Sequence, residues 1–311
     1  MRAVAASYTW LMRNTLQART GGQILVDQLK IHGVRHAFCV PGESYLAVLD
    51  ALYDARSDIR LIVARHDGAA AFMAGAYGKL TGQPGICFVT RGPGATNASI
   101  GVHNAFQDSE PMVLFIGQVA SDQRDREAFQ EVDFRRMYAP LCKWVAEIDR
   151  ADRLPEYVSR AFHLAVSGRP GPVVLALPED TLTAMAVVSD VAPYKVVQPA
   201  PRAEDMARLK ALLEAARQPL VILGGAGWTA QGVADLQAFI EAFDLPAGCA
   251  FRFQDLLDNN HPNYVGDIGI GVNPSLAQRV RDADLVLAIG ARLGEMTTSG
   301  YTLLTPPAPK Q

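Results

Sequence analysis

From Gly21 onward, short apolar runs alternate with segments of helical spacing. Ile24, Leu25, Gln28, Leu29 and Ile31 recur at helical intervals and Gly33 stops the helix, after which Ala37-Phe38-Cys39-Val40 reads as a buried strand. Pro41-Gly42-Glu43-Ser44 then turns the chain into a helix over Tyr45 to Tyr53, with Ser44 as an N-cap candidate. The same design repeats. Leu61-Ile62-Val63-Ala64 is strand-like and the Ala-rich stretch Gly68 to Leu80 is helix-forming, so Asp67 stands at a strand-to-helix corner. Gly85 to Thr90 is a further strand, followed by the turn Arg91-Gly92-Pro93-Gly94-Ala95-Thr96-Asn97 and another helix. Met112 to Gly117, a charged and aromatic stretch from Ser121 to Trp144, a helix near Leu154 to Ser167 and the strand Val173 to Leu177 complete a first domain near residue 180.

Residues 181–203 read as a linker, because Ala192-Pro193-Tyr194 and Gln198-Pro199-Ala200-Pro201 break the periodicity. A second unit follows: helix Ala203 to Ala216, strand Pro219 to Leu223, turn Gly224-Gly225-Ala226-Gly227, helix Thr229 to Phe243, and strand Asp284 to Ile289 running into Gly290-Ala291-Arg292. Strands alternating with helices of this length predict α/β architecture with two doubly wound, mostly parallel sheets. The expected boundaries are an extension over 1–18, a first domain over 19–180, the linker over 181–203 and a second domain over 204–311.

Composition narrows the function classes. Twenty-nine Lys+Arg against 32 Asp+Glu give a net charge of -3, which offers no footprint for nucleic acid or an acidic membrane. No apolar run reaches membrane-spanning length. Cys39, Cys87, Cys142 and Cys249 are scattered without metal-ligand or disulfide-framework spacing; Cys39 and Cys87 lie in apolar strand-like runs as small hydrophobes, and a reducing compartment such as the cytoplasm is expected. The first 26 residues lack Asp and Glu but contain Arg2, Arg13 and Arg19. An organellar transit peptide, an upstream start codon and a frayed terminus each account for that composition.

The corner around Ala64-Arg65-His66-Asp67-Gly68 carries a resemblance. Together with Val40-Pro41-Gly42-Glu43, Gly75 to Gly82, Arg91 to Asn97, Ala105-Phe106-Gln107-Asp108-Ser109-Glu110-Pro111 and Gly117-Gln118-Val119, it resembles the pyrimidine-binding domain of thiamine-diphosphate-dependent enzymes, in particular the acetolactate synthase group of decarboxylases and carboligases. The resemblance implies a pyrimidine-binding domain followed by an incomplete Rossmann-like central domain. It also implies a carboxylate at Asp67 that relays a proton to the aminopyrimidine, where the family carries Glu. Pro41, Gly42, Glu43, Asn97 and Gln118 would line the cofactor and the channel of a 2-oxo acid such as pyruvate, with Phe106, His66 and His103 as lesser candidates.

In some members of the group the central domain holds a flavin. The positions implied for FAD are Arg169, Gly224, Gly225, Ala226, Gly290 and Arg292. Gly225 to Ala230 reads G-x-G-x-x-A, but Gly248-Cys249-Ala250-Phe251-Arg252 lacks the acidic residue of a dinucleotide fingerprint. A dehydrogenase is therefore disfavoured. The Gly-Asp-Gly and Asn that hold Mg²⁺ and the diphosphate in the family are not found here, since Gly266-Asp267-Ile268 with Asn273 is too closely spaced. The resemblance thus implies an enzyme inactive on its own, as a homo-oligomer or paired with a chain carrying the diphosphate-binding domain. The alternative is a non-catalytic homologue that binds a nucleotide or pairs with full-length subunits.

Overall fold

The computed structural model describes residues 17–304, which divide into two units at Val197 and Gln198. Most of the expected extension, Arg2 and Arg13 included, and the Pro-rich end from residue 305 lie outside the described residues.

The first unit is built on a six-stranded sheet. In chain order its strands are β2 (His36–Cys39), β3 (Arg60–Val63), β4 (Gly85–Val89), β5 (Met112–Gln118), β6 (Trp144–Glu147) and β7 (Pro172–Pro178), and all pairings between them are parallel. Their spatial order is β3-β2-β4-β5-β7-β6. Alternate side chains of each strand point to opposite faces, and the core divides accordingly. Cys39, Phe88, Phe115 and Leu175 pack with the helices Gly21–Ile31, Leu46–Asp54 and Leu154–Val166. Phe38, Cys87, Leu114 and Val174 pack on the other face with the helices Asp67–Thr81, Gly92–Asp108 and Phe134–Tyr138. Small residues set the approach of the last face's two long helices: a Cβ on Gly101 would stand 2.5 Å from the Ala71 methyl. The Ala-rich composition thus provides close packing as well as helix propensity.

The chain passes from β2 outward to β3 and then back across β2 to β4. The helix after β2 lies on one face and the helix after β4 on the other, so a topological switch point opens between the carboxyl ends of these neighbouring strands.

Part of the expected linker folds onto this unit. Helix Glu179–Thr183 and β8 (Met185–Ala186) lie within or beside it, and β8 pairs antiparallel with β1 (Arg19–Thr20). Arg19 bridges Asp27 at 2.6 Å and Asp190 at 2.8 Å, while Gln28 donates to Asp190 at 2.7 Å. The Tyr194 amide donates to Nδ1 of His32, which is stacked on Phe162 at 4.4 Å; burial, with a smaller contribution from nearby His163, drives the His32 pKa down to about 4.

The second unit has a four-stranded parallel sheet in the order β11-β10-β9-β12, formed by β9 (Pro219–Leu223), β10 (Ala247–Ala250), β11 (Tyr264–Ile268) and β12 (Leu285–Ile289). Helix Ala230–Ala242 packs Leu236 and Ile240 on one face, and helix Pro274–Asp282 packs Leu276 and Val280 on the other. Its switch point lies between β9 and β12.

All four cysteines are free and buried, and burial pushes the thiols of Cys39 and Cys249 up to about 11.

Candidate active site at the first switch point

Two loops meet at the carboxyl ends of β2 and β4. Glu43–Tyr45 forms a single 3₁₀ turn after Gly42, and the α-helix begins at Leu46. Ser44 is therefore not the helix cap that the sequence suggests. Its hydroxyl is hydrogen-bonded to the Thr90 hydroxyl at 2.9 Å, which ties the two loops together. Gly42 fits under the same threonine, since a Cβ there would stand 2.5 Å from Thr90 Cβ. Gly117 serves the same junction: a Cβ would come within 2.1 Å of Ser44 Oγ. Pro41 and Glu43 are exposed at the rim.

Asp67 sits on the next corner, after β3. The helix begins one residue earlier than the pattern suggests, and its N-cap is His66, whose Nδ1 accepts from the Gly68 amide at 3.0 Å. Capping accordingly does not account for Asp67. Its carboxylate turns toward the first turns of helix Gly92–Asp108, where Asn97 Nδ2 donates to Oδ2 at 3.3 Å. The residue is only 7 % exposed, and its Oδ1 is buried without a hydrogen-bond partner. A Cβ at Gly94 would stand 3.1 Å from that oxygen, so glycine leaves it unobstructed on this side. A buried acceptor left unsatisfied costs about 1–3 kcal/mol, and Asp67 Oδ1 is one of seven buried side-chain polar atoms without a partner among the described residues. The orphaned oxygen can accept from a ring nitrogen that carries hydrogen, as the imino tautomer or protonated form of thiamine's aminopyrimidine does.

Other predicted residues are placed differently. Gln118 ends β5 at 2 % exposure with both ends of its amide engaged: Nε2 donates to Val132 O at 2.9 Å and Oε1 accepts from Val119 N at 3.0 Å. It braces the loop that follows. Phe106 does not line the corner. It lies fourteen residues along the helix from Gly92, roughly 21 Å away at 1.5 Å per residue. Arg169 joins it there, with its guanidinium over the Phe106 ring at 5.5 Å and donating to Gln107 O at 2.9 Å and Ser109 Oγ at 2.7 Å. A cation on the last carbonyls complements the negative end of that helix. His103 is exposed on the same helix.

In the second unit, Gly224, Gly225 and Ala226 follow β9, and Gly290 and Arg292 follow β12, so all five gather at that sheet's switch point. The two turns close on one another. Gly224 N donates to Ile289 O at 3.1 Å, and a Cβ on Gly225 or Gly290 would strike Gly290 O at 2.1 Å or Gly224 O at 2.4 Å. Trp228 Nε1 donates to Gly224 O at 2.9 Å. The glycines are accounted for by the chain's own backbone, and among the described residues the buried side-chain polar atoms without a partner all belong to the first unit. No observation of this kind marks a flavin site.

Sequence reasoning missed Thr90 and Trp228. Thr90 ends a strand facing the Gly42 turn; Trp228 is one of three tryptophans and directly follows a glycine turn, which was the available signal. Among the described residues no group of three His, Cys, Asp or Glu is placed to hold a metal ion, and no helix is long and apolar enough to cross a membrane.

Both units match known enzyme domains. The N-terminal TPP binding domain of thiamine pyrophosphate enzymes matches residues 19–137, and the central domain of the same enzymes matches 206–311. The chain is 33% identical over 294 residues to the acetolactate synthase isozyme 2 large subunit of Escherichia coli, covering 93% of this chain and 52% of that protein. It is 35% identical over 305 residues to the acetolactate synthase large subunit of Parasynechococcus marenigrum, covering 95% and 49%, and 34% identical over 287 residues to the acetolactate synthase of Arthrospira platensis, covering 89% and 50%. The chain spans about half the length of these curated relatives. On its two matching domains and the corner that bears Asp67, the chain belongs to the thiamine pyrophosphate enzyme family.

Proposed function

We propose that this chain supplies the aminopyrimidine-binding half of a thiamine-diphosphate-dependent enzyme acting on a 2-oxo acid such as pyruvate, with acetolactate synthase-like decarboxylation and carboligation. The observation that carries the reading is the buried, unpartnered Oδ1 of Asp67 beside the switch point of β2 and β4. When bound, thiamine diphosphate supplies the electron sink that allows a 2-oxo acid to lose its carboxylate.

Asp67 accepts a hydrogen bond from the ring nitrogen and holds the proton that passes between carboxylate and ring. Asn97 fixes the carboxylate through its other oxygen, and the Ser44–Thr90 bond holds the Gly42 turn opposite. The low exposure of Asp67 keeps water from competing for the same oxygen. Asp is shorter than Glu by one methylene, roughly 1 to 1.5 Å of reach. A misplacement of that size costs on the order of a hundredfold in rate. A diphosphate-binding domain, on this polypeptide or on another, would hold the diphosphate and Mg²⁺.

The test is calorimetric titration of the chain with thiamine diphosphate and Mg²⁺, alone and mixed with a chain that carries such a domain, followed by CO₂ release from pyruvate. Binding in the mixture, with Asp67→Glu raising the rate and Asp67→Asn abolishing it, supports the proposal. An absence of binding in both settings refutes it and leaves the non-catalytic alternative.

A further inference from the structure

The loop between β5 and helix Phe134–Tyr138 contains three non-glycine residues in the left-handed region: Asp125 at φ 57°, Glu127 at φ 56° and Gln130 at φ 62°. Such backbone persists only where surrounding bonds over-determine it. Here Glu131 provides them. Its Oε1 accepts from the Asp125 amide at 2.9 Å and its Oε2 from the Ala128 amide at 3.2 Å, so one carboxylate pins two points of the loop. Bonds from backbone amides to a charged acceptor are of the stronger kind.

The pinned loop faces the candidate site. Gln130 O accepts from the Gly92 amide at 3.0 Å, and a Cβ on Gly92 would stand 2.9 Å from that oxygen, so loop and helix meet at backbone distance. Val132 O accepts from Gln118. Gly92 opens the helix whose next turns present Gly94 and Asn97 to Asp67.

We infer that Glu131 is a positioning residue: by clamping the 125–130 loop it sets the Gln130 carbonyl that holds the first turn of helix Gly92–Asp108, and through that turn the surroundings of the Asp67 carboxylate. The inference deepens the function proposed above and rests on it for its purpose, but its geometry does not involve a cofactor.

Amide hydrogen exchange on the whole chain tests it, read on peptides spanning 90–96 and 121–133. Glu131→Ala is expected to speed exchange at Asp125, Ala128 and Gly92 at least tenfold while β5 and β7 keep their protection. Glu131→Gln retains one acceptor oxygen and is expected to restore part of the protection at Gly92. Unchanged Gly92 exchange in Glu131→Ala overturns the inference, as does a Glu131→Gln variant no better protected than alanine. Should Glu131→Ala fail to fold, Glu131→Gln against wild type decides alone. The clamp is judged by exchange without thiamine, so a wild type that binds no thiamine diphosphate either alone or in the mixture refutes the proposed function and not the clamp.

Discussion

The two switch points follow one topological rule and spend their polar groups differently. Between β9 and β12 the turns close on each other, with Gly224 and Gly290 at backbone contact and the Trp228 indole on the Gly224 carbonyl. Between β2 and β4 the loops are tied by Ser44 and Thr90, and the neighbouring corner keeps a buried carboxylate oxygen without a partner. A crevice set by topology becomes a candidate for chemistry where the chain leaves a polar group unsatisfied. The glycines read alike in sequence at both places; their neighbours separate them.

The comparison yields four expected outcomes in stability, measured by chemical denaturation. Gly290→Ala places a Cβ 2.4 Å from Gly224 O at φ 68° and is expected to cost about 3 kcal/mol or more, since neither backbone can retreat. A small loss there would mean that the second crevice is looser than its contacts indicate. Trp228→Phe keeps the ring but leaves the Gly224 carbonyl without its donor, for a loss of about 1–2 kcal/mol. Gly94→Ala meets the Thr90 methyl at 2.9 Å, on a β-branched side chain that the bond to Ser44 holds in place, and costs about 1–2 kcal/mol while crowding Asp67 Oδ1, so thiamine binding should fall far more than stability. Asp67→Ala has the smallest effect, between no change and a gain of about 1 kcal/mol, because it removes a buried and half-satisfied charge. A loss above about 2 kcal/mol in that variant would make Asp67 a structural residue and erase the contrast.

Much of the architecture was legible in the chain. The elements that the pattern predicts fall within a few residues of those observed, but it does not mark β6, β11 or the helices Phe134–Tyr138 and Pro274–Asp282. What stayed hidden depended on contacts distant in sequence. The β1–β8 ladder joins Arg19 to Ala186, and nothing local in either dipeptide predicts a strand. Ser44 reads as a cap, and Asp67 stands at a helix start where its side chain would suit that role as well as a relay. The structure gives one cap to His66 and turns the two side chains toward Thr90 and Asn97. Phe106 looked close to the corner through its motif, but a 17-residue helix carries it to the far end. Glu131 lies in the run Phe129 to Asp133, which resembles a family segment near the channel and a subunit contact, but nothing local gave it a role of its own.

The decisive measurement is the carboxyl-carbon NMR signal of Asp67 in ¹³C-Asp-labelled chain, assigned with Asp67→Asn and followed as the aminopyrimidine fragment of thiamine is added to millimolar concentration. A saturable shift of that resonance, with the other aspartates unmoved, is the predicted result and shows that the orphaned oxygen receives the ring. An Asp67 signal that stays in place through the titration would contradict the assignment of this carboxylate to the cofactor.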